Sequence, residues 1–145
     1  MEIRVAHSEA EIAFCFPTFY ELRPHLSQIE FVAQVQRQMQ NHAYVLVYIA
    51  AQDHVYAAAG YRITEFLAWG RTFYVDDLVT SSTSRKLGYG GKLLDWLMAK
   101  ARELSCDQFH LDSGVQRHDA HRLYLSRKLQ ISSHHFSIEF EKSVG

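Results

Sequence analysis

Cysteine is scarce in this sequence, with only Cys15 and Cys106 among 145 residues. The two lie far apart without CxxC spacing, so neither a disulfide framework nor a cysteine zinc site is indicated, and buried thiols are expected. Net charge is nearly absent too, at −1. Without a broad basic field, neither nucleic acid nor an anionic membrane surface is expected as a partner. No apolar run approaches the ~20 residues that cross a bilayer, and no apolar stretch follows a basic start, so the expected location is cytoplasmic. Repeats, low-complexity segments and linkers are missing as well. What remains is 48% hydrophobic, enough to bury the core of one domain spanning 1–145.

The patterning reads as alternating elements. Ile3 to Ala6 alternates like a strand, and Ser8 with Glu11 forms a capping box that opens a helix toward Arg23. Pro24 interrupts it, and a second helix is predicted from about Ser27 to Asn41. Tyr44 to Ala50, Val55 to Ile63 and Thr72 to Thr80 are rich in β-branched and aromatic residues and read as strands. A helix with Leu93, Leu94, Leu97 and Ala101 on its buried stripe follows. Phe109 to Leu111 is predicted as a strand, Asp119 to Lys128 as a helix, and Phe136 to Phe140 as a closing strand. This order argues for an α+β layer structure with a largely antiparallel sheet.

The most informative stretch runs from Asp76 to Lys92, where a strand, the polar loop Ser81-Ser82-Thr83-Ser84 and a helix start follow one another. Glycines at a helix's first turn let backbone approach an anion, which the unpaired N–H groups and the helix dipole then attract. Arg85, Lys86 and Lys92 add cations where they oppose the dipole, a choice that makes sense if a polyphosphate sits there. The pattern is neither GxxxxGK[ST] nor a GxGxxG on the first strand of a βαβ series, so NTP and dinucleotide readings fall behind.

Arg85-Lys86-Leu87-Gly88-Tyr89-Gly90 fits Arg/Gln-x-x-Gly-x-Gly/Ala, the cofactor motif after the fourth strand of the GNAT superfamily, which this chain resembles in its order of elements and in Ala120-His121-Arg122-Leu123-Tyr124 of a later helix. The resemblance implies a mixed, largely antiparallel sheet of about six to seven strands flanked by about four helices. It implies acetyl-CoA as cosubstrate, with Leu78, Val79 and Thr80 pairing with the pantetheine arm and Arg85, Lys86, Leu87, Gly88, Tyr89, Gly90 and Gly91 under the pyrophosphate. Three positions depart from the family pattern. Lys86 stands where a glycine usually follows the motif arginine, Arg117 stands for an asparagine, and Lys128-Leu129 replaces Gly-Phe.

The implied activity is transfer of an acetyl group to a primary amine by direct attack in a ternary complex. An alkyl amine carries a proton at neutral pH, so a base is needed. Asp76 is the first candidate, matching a carboxylate of diamine N-acetyltransferases, and Glu21 and Glu30 follow. Strand alternation predicts that Asp76 and Asp77 face opposite sides, with Asp76 sharing a face with Tyr74 and Leu78. The Leu78 N–H could polarise the thioester carbonyl. The resemblance also implies that Tyr124 donates a proton to the departing sulfur. Glu21, Glu30 and Tyr74 are candidates for the acceptor side. A non-catalytic acyl-CoA-binding module is the alternative, and a homodimer is a reasonable expectation for a small enzyme.

Nine histidines, with His118 and His121 at i,i+3 and His134 beside His135, raise a metal site. No HExxH or Cys/His spacing accompanies them, so no metal is expected.

Overall fold

A computed structural model describes residues 2–142. The chain divides into two compact units, Met1–Leu111 and Asp112–Gly145. The first carries β1 (Ile3–Val5), α1 (Glu9–Leu22), α2 (Gln28–Asn41), β2 (Val45–Ala50), β3 (Val55–Phe66), β4 (Gly70–Thr80), a 3-10 turn (Ser82–Ser84), α3 (Tyr89–Glu103) and β5 (Gln108–Leu111). The second carries α4 (His118–Ser126).

Helices α1 and α2 start where the sequence marks them. Ser8 accepts the Glu11 N–H and Ser27 the Glu30 N–H, and each glutamate returns to its cap backbone, so both capping boxes form. Two orphan N–H groups per helix are thereby satisfied. The C-terminal ends are less ordinary. Ala43, Ser105 and Lys128, each just past a helix end, have φ of 56°, 59° and 68°, the left-handed region where glycine is the usual choice.

The sheet runs β1-β2-β3-β4-β5. Neighbours pair antiparallel except β4 and β5, which are parallel. Alternation along β2 and β3, broken by a bulge where Ile49 pairs with Ala57 and Ala50 with Val55, sends Leu46, Tyr48, Val55 and Ala58 into one cluster with Ile12, Cys15 and Phe19 of α1 and Phe31, Val32 and Val35 of α2. The intervening Val47, Ile49, Ala57 and Ala59 are also fully buried, on the opposite face. Helix α3 packs on β2, β3 and β4, with Leu93, Leu94 and Leu97 fully buried. Truncating any one of these leucines to alanine costs about 2–5 kcal/mol, because lost transfer energy adds to a cavity.

The fold class is the expected one, with a smaller sheet of five strands. The predicted closing strand Phe136–Phe140 does not form, and residues 129–142 carry no helix or strand. Their alternation is real, yet Phe136, Ile138 and Phe140 are 92%, 77% and 85% exposed. A strand needs a partner for its backbone groups, and the unit containing this segment holds none. Among the described residues no helix is long and apolar enough to cross a membrane.

Candidate functional site

The β3–β4 ladder slips at one place. Gly60 pairs with Asp77 and Tyr61 with Val75, leaving Asp76 as an extra residue on β4. A bulge of this kind breaks the two-residue alternation. Asp76 and Asp77 therefore do not separate onto opposite faces, as the sequence reading expects, but enter one polar cluster. Both Asp76 oxygens accept from Arg62, through its Nε and Nη2. Asp77 accepts from Arg23 at 2.8 Å and from the Tyr44 hydroxyl at 2.8 Å. Arg62 lies over the Tyr44 ring, 5.8 Å from its centroid, and Arg23 also donates to the Asp76 carbonyl.

This cluster is electrically balanced, two guanidinium groups against two carboxylates. Burial pushes the Tyr44 phenol well above its ordinary value, and the Asp77 carboxylate beside it adds to the shift. Hydrogen bonding to Asp76 raises Arg62 in turn. Tyr44 needs room, and Gly60 supplies it: a methyl group at that position would overlap the phenol ring. Tyr74 pairs directly with Arg62 across the ladder, so the two side chains share a face.

A second group of contacts shapes the turn between β4 and α3. Lys86 and Gly88 have φ of 65° and 86°, and Gly88 is the N-cap of α3 with no side-chain cap on the helix. A methyl added at Gly88 would meet nothing within 4 Å, so the space over the turn is open. Two distant residues brace the loop. Glu21, at the end of α1, accepts the Ser82 N–H at 3.0 and 3.2 Å. His54 Nε2 lies 3.0 Å from Ser81 Oγ and 3.1 Å from Thr83 Oγ1. Tyr56 stacks on Tyr89 with centroids 4.8 Å apart and planes 7° from parallel.

Just before this turn the sheet opens. The β4–β5 ladder covers Thr72 to Val75 and ends there, whereas β4 continues against β3 to Thr80. Leu78, Val79 and Thr80 thus lie on the stretch of β4 that β5 does not ladder. An uncapped helix end, open space above a left-handed glycine and exposed Arg85 and Lys86 together fit a polyphosphate-bearing ligand.

Residues 9–128 match the acetyltransferase (GNAT) family. The chain belongs to that family. It is 31% identical over 120 residues to the N-acetyltransferase YhdJ of Bacillus subtilis (strain 168), described as uncharacterised, covering 83% of this chain and 84% of that protein. A transcriptional regulator from Bacillus halodurans C-125 superposes with a TM-score of 0.85 at 19% identity, covering 96% and 99% of the two chains. The ribosomal-protein-alanine N-acetyltransferase of Brucella melitensis biovar Abortus 2308 superposes with a TM-score of 0.80 at 17% identity, covering 97% and 100%. These structural likenesses establish the GNAT fold.

Within this GNAT chain the sequence-derived candidates separate. Asp76, Asp77 and Tyr74 come together around the bulge. Glu21 is engaged with the Ser82 backbone and Glu30 with the Ser27 backbone in its capping box, at 3.3 Å. Tyr124 lies on α4 in the second unit and is 7% exposed. Burial pushes its phenol up, while Arg117 beside it pulls partly back. His121 Nε2 lies 2.8 Å from the Gly114 carbonyl and His135 3.3 Å from Asp112; among the described residues no group of three or more metal-ligating side chains gathers. Sequence reasoning missed Arg62, Tyr44 and His54, whose partners are 14, 33 and 27 residues away. Only a pairing register could have found them.

Proposed function

We propose that this chain is an N-acetyltransferase that moves an acetyl group from acetyl-CoA to a primary amine of a small molecule or protein, by direct attack in a ternary complex and without a metal. The reading rests above all on the turn entering α3, where left-handed backbone at Lys86 and Gly88 and an uncapped helix end face open space. Backbone N–H groups from Gly88 to Gly91 and the cations Arg85 and Lys86 would hold the pyrophosphate. Leu78, Val79 and Thr80 would pair with the pantetheine arm. When bound, acetyl-CoA supplies the acyl carbon as an activated thioester.

The chain's own groups then have separate tasks. Asp76 is the residue proposed to take the ammonium proton. A carboxylate has about four acceptor directions and Arg62 uses two, so an incoming ammonium has acceptor directions left on Asp76. The Leu78 N–H would polarise the carbonyl. Tyr124, a phenol that carries its proton at neutral pH and is pushed further that way by burial, would return a proton to the leaving thiolate. The balanced reaction joins nitrogen to the acyl carbon, breaks the carbon–sulfur bond, and ends with an amide and a free thiol.

The test is calorimetric titration of the intact chain and of Gly88→Glu with acetyl-CoA and CoA. Micromolar binding that Gly88→Glu abolishes supports the reading; a folded, intact chain that binds neither ligand overturns it. A second reading, an acyl-CoA-binding module without turnover, is favoured by the engagement of both Asp76 oxygens with Arg62. It expects Tyr124→Phe to change nothing measurable, whereas the enzyme reading expects turnover to fall with binding intact.

A further inference from the structure

The bulge cluster borders a cleft of about 380 Å³, lined by Gln34, Arg37, Gln38, Asn41, His42 and Arg62. Five of these come from α2, from Gln34 onward, and its cap His42; Arg62 comes from β3 and is shared with the cluster. The lining contains no carboxylate. Gln34 and Gln38 bond to each other at 3.1 Å. Among the described residues Arg37 makes no ion pair, and its guanidinium keeps its full fork of donors. Arg62 spends Nε and Nη2 on Asp76, so its Nη1 is not used in that pair.

Of the carboxylates that could attract a polycationic acceptor, Asp77, Glu21 and Glu30 are engaged elsewhere, and Asp76, paired with Arg62, keeps acceptor directions for one ammonium only. Asp76 faces Arg62, Asp77 faces Arg23 and Tyr44, Glu21 holds the Ser82 backbone, and Glu30 caps α2. Two arginines against two aspartates leave the cluster neutral, so Arg37 decides the sign of the adjoining cleft. Planar guanidinium donors of this kind match a carboxylate in two-point fashion.

Resting on the acetyltransferase reading, we propose that the acceptor is an amine that also carries a carboxylate. The carboxylate occupies the α2 cleft on Arg37 and the spare Nη1 of Arg62, and the amine lies at Asp76. Arg62 joins the two positions, so at least the width of one guanidinium separates the carboxylate from the amine. That spacing suits an ω-amino carboxylate better than an α-amino acid, whose two groups share one carbon. The reaction is unchanged: the amine nitrogen attacks the thioester carbon, the carbon–sulfur bond breaks, one ammonium proton is released, and the anionic group takes no chemical part.

The proposal is tested by nitrogen–proton NMR titration of the intact chain, saturated with CoA, with glutarate and with 1,5-diaminopentane. Turnover of 5-aminopentanoate is measured alongside that of its amide. Glutarate is expected to shift the Arg37, Asn41 and His42 signals saturably, while the diamine leaves them in place. Losing a charge-assisted hydrogen bond corresponds to roughly tenfold or more, so the acid is expected to exceed the amide in kcat/KM by about that factor. Arg37→Gln removes both the glutarate shifts and the preference, and Arg37→Glu turns the cleft toward the diamine. Because Arg37 is exposed on α2, both variants fold, which CoA titration verifies. Glutarate shifts that are absent from the cleft, or that survive Arg37→Gln, overturn the proposal, as does an amide used as well as the acid. A chain that binds CoA and glutarate but acetylates neither amine leaves the cleft standing as an anion site and overturns the acceptor assignment; a chain that does not bind CoA overturns the acetyltransferase reading itself.

Discussion

Glu21 accepts the backbone N–H of Ser82 with both carboxylate oxygens, across 61 residues of sequence. The end of α1 is thereby tied to the loop that leads into α3. Glu21→Gln keeps one acceptor and Glu21→Ala none, so a graded effect is expected. The alanine variant should raise KM for acetyl-CoA about three- to tenfold at nearly constant kcat, since exposure to solvent brings this bond down to the roughly 1 kcal/mol of a typical hydrogen bond. The glutamine variant should fall between. Steady-state kinetics with varied acetyl-CoA checks this, and an equal loss in kcat would contradict it.

Gly60 opposite Asp77 is a packing requirement. A methyl group there would displace the Tyr44 phenol and with it the bond to Asp77. Gly60→Ala is expected to destabilise by about 1–3 kcal/mol through overpacking, read by urea denaturation. Pairing it with Tyr44→Phe would not restore the wild-type value, since the ring remains in the way.

How much of this was legible in the sequence depends on the range of the forces involved. The capping box at Ser8 is a three-residue signal and α1 begins there; the structure adds a second box at Ser27, where the break at Pro24 already places the start of α2. The glycine turn at Gly88 is equally local. Alternation misplaces the Asp76–Asp77 pair because it assumes an unbroken ladder, and the bulge is a property of two strands in register. Phe136–Phe140 shows the converse, since alternation states what a strand would look like but cannot supply a neighbour to pair with. The guanidinium partners of both aspartates were beyond reach for the same reason.

Lys128 occupies a position that glycine would suit better. Past the end of α4 its N–H donates to the Leu125 carbonyl, and the Leu129 N–H donates to that of Tyr124. This is the pairing of a Schellman cap, which calls for left-handed backbone at the Lys128 position. Lys128→Gly should therefore stabilise by about 0.5–1 kcal/mol, and Ser105→Gly, past α3, by a similar amount, since a left-handed residue with a Cβ is strained. The two effects are expected to add. Thermal unfolding of the single and double variants measures this.

Alkali should unfold the protein through its buried acids. Burial pushes Cys15 from 9.0 and Tyr48 from 10.0 up to about 12, and raises Tyr44, Tyr61 and Tyr124 as well. Between the unfolded and folded values the native state holds more protons, so stability is full below the unfolded values and is lost as pH rises through the folded ones. Tm is expected to be level up to about pH 9 and to fall toward pH 12. Tyr48→Phe should make the upper part of that fall shallower.

The thiols should divide by access. Cys15 is fully buried, and Cys106 is partly exposed. At pH 8 a chromogenic disulfide should titrate one thiol per folded chain, with Cys15 reacting only after denaturant is added. Cys106→Ser should abolish the fast reaction.

The bend at Lys86 and Gly88 has a kinetic corollary. Its backbone angles, the Glu21 tether, the His54 contacts and the Tyr56–Tyr89 stack are all supplied by the polypeptide itself, so on the acyl-CoA reading proposed above the cosubstrate would meet a turn that the chain's own contacts hold. A ligand that finds its receptor ready-made spends little on ordering it. Arrival should then be governed by diffusion and ionic strength, and acyl groups of different length should differ chiefly in how long they stay.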